Sequence, residues 1–135
     1  MSKTYHGSCV CKAIKFEVDI DLSKGTGKCN CTPCFKLRFW GAHVKPDAFR
    51  ILGNEAELVS DYIMKNPELH HEFCKVCGTH AYHRGNLPGF MGEFVSVNVA
   101  CLDDLPFEEL EGVAVRYADG RNDAWWNEPK EKSIL

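Results

Sequence analysis

Residues 9–20 read C-V-C-K-A-I-K-F-E-V-D-I, and they join the two signals on which the fold turns. From Ala13 to Ile20 apolar and charged side chains alternate. Ile14, Phe16, Val18 and Ile20 fall on one side, and Lys15, Glu17 and Asp19 on the other. Successive side chains of an extended chain point to opposite faces, so this is a half-buried strand. Just before it stand Cys9 and Cys11, one residue apart. On an extended segment both leave the same face, where one metal ion can take both.

Outward from that strand the same grammar recurs. Short strands are expected over residues 49–52, 58–63, 69–73, 79–83, 94–101 and 113–117. Turn residues stand between them, at 23–27, 53–54, 74–78, 85–92 and 119–120. Thr32-Pro33 reads as a helix start, with Thr32 as N-cap and a short helix running to about Arg38. A single helical turn fits residues 106–110. Trp125 and Trp126 are expected to close the core, and residues 127–135 to form a polar tail. The 135 residues, 44% apolar and 26% charged, suit a single mostly-β domain over 1–135 with one or two short helices. No stretch approaches the ~20 apolar residues of a membrane span. The net charge of −3 weighs against a nucleic-acid partner. No secretory leader is recognisable at the start, so a cytoplasmic location is expected.

Eight cysteines are many for such a chain. Seven fall into three groups: Cys9 and Cys11; Cys29, Cys31 and Cys34; Cys74 and Cys77. In a reducing compartment clustered thiols bind metal more often than they form disulfides. The segment C-K-V-C-G at 74–78 has the form of a knuckle, with Gly78 free to take positive φ. Four thiolates from Cys9, Cys11, Cys74 and Cys77 make a closed tetrahedral shell of the structural type. Cys29, Cys31 and Cys34 are then left as three ligands, with a fourth position open, as in catalytic sites. Three other readings stand beside this one: disulfides, a second cluster that is purely structural, and thiol redox or metal buffering by Cys29, Cys31 and Cys34. Cys101 shares a face with Val95, Val97 and Val99 and reads as a buried apolar thiol.

The motifs Gly7-Ser8-Cys9-Val10-Cys11, Cys29-Asn30-Cys31-Thr32-Pro33-Cys34 and Phe73-Cys74-Lys75-Val76-Cys77-Gly78 resemble, in this order, those of the glutathione-dependent formaldehyde-activating enzyme family, which also includes centromere protein V. The resemblance runs from Tyr5 to about Trp126. It implies a β-tent of small antiparallel sheets pinned by a four-cysteine zinc site at Cys9, Cys11, Cys74 and Cys77. It implies a second, labile zinc at Cys29, Cys31 and Cys34. The activity it implies is condensation of glutathione with formaldehyde to S-(hydroxymethyl)glutathione, a carbon–sulfur lyase class. The alternative function is a non-catalytic zinc module for a protein partner. This chain departs from the family pattern at Asn30, where His is usual, at Lys12, where Gly is usual, and at Phe35.

Zn²⁺ on three thiolates with an exchangeable position favours the thiolate form of an entering thiol and polarises a nearby carbonyl. A glutathione-like thiol carries carboxylates, so cations are needed close by. Lys36 and Arg38 are the first candidates for binding it. Lys45, Arg84, His43, His80 and His83 are further candidates.

Overall fold

The alternating segment forms the second strand of an N-terminal hairpin in the computed structural model, which describes residues 2–135. Strand β1 (Lys3–Ser8) pairs antiparallel with β2 (Lys15–Ile20), placing Tyr5 opposite Val18. Ile14, Phe16, Val18 and Ile20 are all buried, as their period of two requires. Strand β5 (Phe49–Ile51) joins the far edge of β2 and completes a three-stranded sheet.

The second sheet has seven strands. They are β3 (Thr26–Cys29), β4 (Gly41–Val44), β6 (Val59–Ile63), β7 (Leu69–Cys74), β8 (Tyr82–Leu87), β9 (Gly92–Asn98) and β10 (Val115–Ala118), in the order β10-β3-β4-β9-β8-β7-β6. Neighbours are antiparallel except β10 and β3, which run parallel with Ala118 opposite Cys29. One apolar core serves both sheets. Phe16 packs against Phe49 and Tyr82 with ring centroids 5.3 and 6.3 Å apart, and Val97 and Val99 lie beneath. Burying each such side chain stabilises the fold by about 1.5–3 kcal/mol. The result is a mostly-β protein, with three short helices among the described residues.

Several boundaries differ from the sequence expectation. Strand β9 ends at Asn98, because the Asn98 side chain accepts from Ala100 N and donates to His80 O, turning residues 99–101 into a 3-10 turn. The strand expected at 79–83 starts at Tyr82 and runs on to Leu87, where Gly85 pairs with Phe94, so the loop expected at 85–92 shrinks to its middle. Strands β3 and β4 were not expected; both are four residues long and contain glycine. Helix α1 (Thr32–Leu37) has Cys31 at its N-cap position, without a side-chain cap bond, and Thr32 lies inside it. Helix α2 (Glu55–Leu58) follows Asn54, whose side chain accepts from Glu57 N. Helix α3 (Phe107–Glu111) falls on the expected helical turn. Trp125 and Trp126 do not close the core: they are 48% and 82% exposed. No helix among the described residues is long and apolar enough to cross a membrane.

Candidate metal centres

Two groups of sulfurs converge. The first unites Cys9 and Cys11, in the loop between β1 and β2, with Cys74 at the end of β7 and Cys77 in the turn after it. All four sulfurs lie within 4.8 Å of one another. Cys11 Sγ is 3.6 Å from Cys9 Sγ and 3.7 Å from Cys74 Sγ. A tetrahedral ion with metal–sulfur bonds near 2.3 Å needs sulfurs about 3.8 Å apart, so these residues fit one. Both loops turn alike. Gly78 follows Cys77 with φ +79°, and Lys12 follows Cys11 with φ +64°. Backbone N–H groups in both loops donate to sulfur: Ile14 N to Cys9 Sγ at 3.3 Å, and Val76 N to Cys74 Sγ at 3.4 Å. Cys9 and Cys74 are buried, with Cys74 fully so.

Without an ion Cys11 and Cys77 are pushed in opposite directions. The Ala13 N–H favours the Cys11 thiolate, but burial and the thiols of Cys9, Cys77 and Cys74 outweigh it and push Cys11 up to about 12. Burial works against the charge on Cys77 as well. There the Thr79 hydroxyl and the Cys11 N–H prevail and bring it down to about 5.

The second group is Cys29 at the end of β3, Cys31 at the N-cap position of α1, and Cys34 within α1. Their sulfurs also lie within 4.8 Å of one another, and all three residues are half-buried. The thiols of Cys31 and Cys34 hydrogen-bond to Cys29 and hold it down to about 3. Burial opposes them, and the backbone N–H groups of Cys31 and Gly120 support them. Sharing with Cys29 pushes Cys31 up and Cys34 well up. One sulfur thus carries the charge for three, and a cation is what would release the other two protons. Three sulfurs at this separation fit a metal ion with one position unfilled by protein.

Cys29 and Cys34 of this trio border a cavity of about 150 Å³ that is also lined by Lys28, Phe35, Arg38 and Phe39, with Trp40, Ala100 and Leu135 completing it. Of the cations named from the sequence, Arg38 is at this cavity. Lys36 is exposed on α1 and is not among the lining residues. Lys45 donates to Met91 O, and Arg84 pairs with Glu55. His43 stacks on Phe94, while His80 and His83 hydrogen-bond to each other at 2.9 Å. Two further cations stand close by. Lys28 sits 5.0 Å over the Trp40 ring, and Arg121 lies 5.8 Å over Phe35, whose ring Arg38 also approaches at 5.3 Å. A larger cavity of about 560 Å³, lined by Phe49, Glu55, His70, Arg84, Glu93 and Phe94, contains no thiol. Cys101 is half-buried against the core, and burial pushes its thiol up to about 11.

Two thiol clusters of metal-ligand geometry on a mostly-β scaffold define a cysteine-rich protein with two candidate metal centres. The family model described as glutathione-dependent formaldehyde-activating enzyme matches residues 4–119, and the chain belongs to that family. The fold is similar to the crystal structure of a Rhodobacter sphaeroides protein, a Northeast Structural Genomics target. The TM-score is 0.67 at 25% identity, over 82% of this chain and 99% of that one.

Proposed function

We propose that this protein is a zinc-dependent carbon–sulfur lyase-type enzyme that forms and breaks adducts between a glutathione-like thiol and a small aldehyde, formaldehyde first among them. The observation that carries the reading is the cavity lined by Cys29 and Cys34, members of an incomplete set of three sulfurs, together with Lys28 and Arg38. Zinc bound by Cys29, Cys31 and Cys34 would supply an electrophile that favours thiolate and polarises a carbonyl. Zinc at Cys9, Cys11, Cys74 and Cys77 would be structural.

The chain's own residues do the rest. In the forward direction the thiol S–H adds across C=O: an S–C bond forms, and the thiol proton ends on the carbonyl oxygen. The reverse step breaks that S–C bond. Liquid water takes about 30 Å³ per molecule, so a cavity of about 150 Å³ accepts a CH₂–SH arm and a one-carbon aldehyde but not a tripeptide. The peptide part of the thiol must lie outside, where Arg38 and Arg121 flank Phe35 and offer guanidinium groups to carboxylates. Phe39, which is buried, and Trp40 add apolar surface to the lining. These features also favour an enzyme over a partner-binding module.

The test is to mix glutathione and formaldehyde and follow S-(hydroxymethyl)glutathione by NMR exchange, with and without the zinc-loaded protein. Faster exchange that is lost in Cys31→Ser supports the reading. An unaccelerated reaction with two zinc ions bound refutes it.

A further inference from the structure

Asn30 lies between two of the three sulfur residues, yet its side chain is turned to the far end of the sequence. Its Nδ2 donates to Asp119 Oδ1 at 2.8 Å, and its Oδ1 accepts from Arg121 N at 2.9 Å. Its backbone is held too: Asn30 N donates to Ala118 O at 3.2 Å, and Arg121 Nε donates to Asn30 O at 3.0 Å. Asp119 is itself fixed by Asn122 Nδ2, which reaches both carboxylate oxygens at 3.1 and 2.9 Å. Trp125 Nε1 closes the same turn on Asp123 Oδ1 at 2.8 Å. The turn is thereby pressed on Cys29. A Cβ added to Gly120 would stand 2.7 Å from Cys29 Sγ and 2.4 Å from the Trp125 ring. Carbon and sulfur do not approach that closely, so Gly120 is the residue that lets the turn seat against the sulfur.

We propose that Asn30 is a positioning residue for the second metal centre: it clasps the 119–123 turn onto Cys29, so that the turn fixes the sulfur where Cys31 and Cys34 can share an ion with it. This rests on the reading of that trio as a metal site. Asn30 touches neither substrate nor ion. It acts through Asp119, Gly120 and Arg121, in the turn that follows β10, the strand paired in parallel with β3.

The donor–acceptor polarity of the clasp makes a swap the decisive test. Asn30→Asp puts a carboxylate against the Asp119 carboxylate and breaks it. Asn30→Asp with Asp119→Asn restores one donor and one acceptor in the opposite sense. Zinc affinity is read by competition with a chelator, the tighter ion serving as the control. Cobalt substitution reports thiolate ligation through its charge-transfer band. The single variant is expected to bind the weaker ion at least tenfold less tightly with a diminished second charge-transfer band. The double variant should recover most of both, and the tighter ion should stay unchanged throughout. If Asn30→Asp loses the tighter ion as well, Asn30→Ser, which opens the clasp without adding charge, takes its place. Equal affinity in wild type and single variant, or a double variant no better than the single, overturns the proposal while the metal site stands. A wild-type chain that takes only one ion overturns the metal site and this inference together.

Discussion

The two cysteine clusters use the same atoms to opposite ends. Cys9 and Cys11 meet Cys74 and Cys77 across more than sixty residues, and two of the four are buried. Cys29, Cys31 and Cys34 lie within six consecutive residues, all half-buried, with Cys29 and Cys34 lining a cavity. Closing a loop of some sixty residues removes about 4 kcal/mol of unfolded-chain entropy when the link is covalent, and a four-ligand ion acts in the same sense. A link within six residues constrains little that α1 does not already fix. The first cluster is therefore placed to hold the fold together, and the second to be altered without losing it.

The largest expected effect comes from breaking the first cluster. Cys77→Ser should lower stability by about 3–5 kcal/mol, enough to abolish a cooperative thermal transition followed by circular dichroism. A normal melt for this variant would erase the difference between the clusters. Next comes Cys31→Ser, which should change stability by less than about 1 kcal/mol while removing one bound ion and the thiol–aldehyde exchange. Metal content after dialysis and the NMR assay check both halves. A melt as damaged as that of Cys77→Ser would show that the trio is structural too.

A smaller effect separates thiols by charge. In the metal-free chain Cys29 is held down to about 3 by its neighbouring thiols, whereas burial holds Cys101 up to about 11. Between pH 5 and 8 Cys29 is already thiolate, so its alkylation rate should stay flat. That of Cys101 should climb about tenfold per pH unit, since only the thiolate reacts. Peptide mapping after timed iodoacetamide exposure distinguishes them. A Cys29 rate that climbs like that of Cys101 would mean that the trio does not share charge as its geometry requires.

These contrasts were unevenly legible in the sequence. Both clusters were readable because C-x-C, C-x-x-C and the strand at 14–20 are local patterns. The rim of the second site was not. Lys28 comes from a four-residue strand containing glycine, and Arg121 from a segment that reads first as a turn. Arg121 reaches Asn30 and Phe35 because β10 runs parallel to β3, a pairing between segments nearly ninety residues apart that no local pattern encodes. Lys36 illustrates the converse: its nearness in sequence to Cys34 suggested a role, but α1 carries it to the exposed side. Trp125 and Trp126 were expected inside because large aromatic rings usually are. Instead Trp125 serves the turn through Asp123 and Gly120. Asn30 looked like a missing histidine, and its hydrogen bonds show a structural post that the sequence could not reveal.

The finest contrast lies within the first cluster, between its two loops. Each takes a left-handed step directly after its second cysteine, at Gly78 in one and at Lys12 in the other. A residue with a Cβ pays about 1–2 kcal/mol there, and glycine pays nothing, though glycine loses more freedom on folding. Lys12 is exposed, so no packing offsets the strain. Lys12→Gly should therefore raise stability by about 0.5–1 kcal/mol, or roughly 2–4 °C in Tm, and Gly78→Ala should lower it by a similar amount. Both are read from thermal melts of the metal-loaded chain. If Lys12→Gly lowers the melting temperature instead, the two loops are not equivalent, and the lysine side chain holds the Cys9–Cys11 turn by a contact of its own.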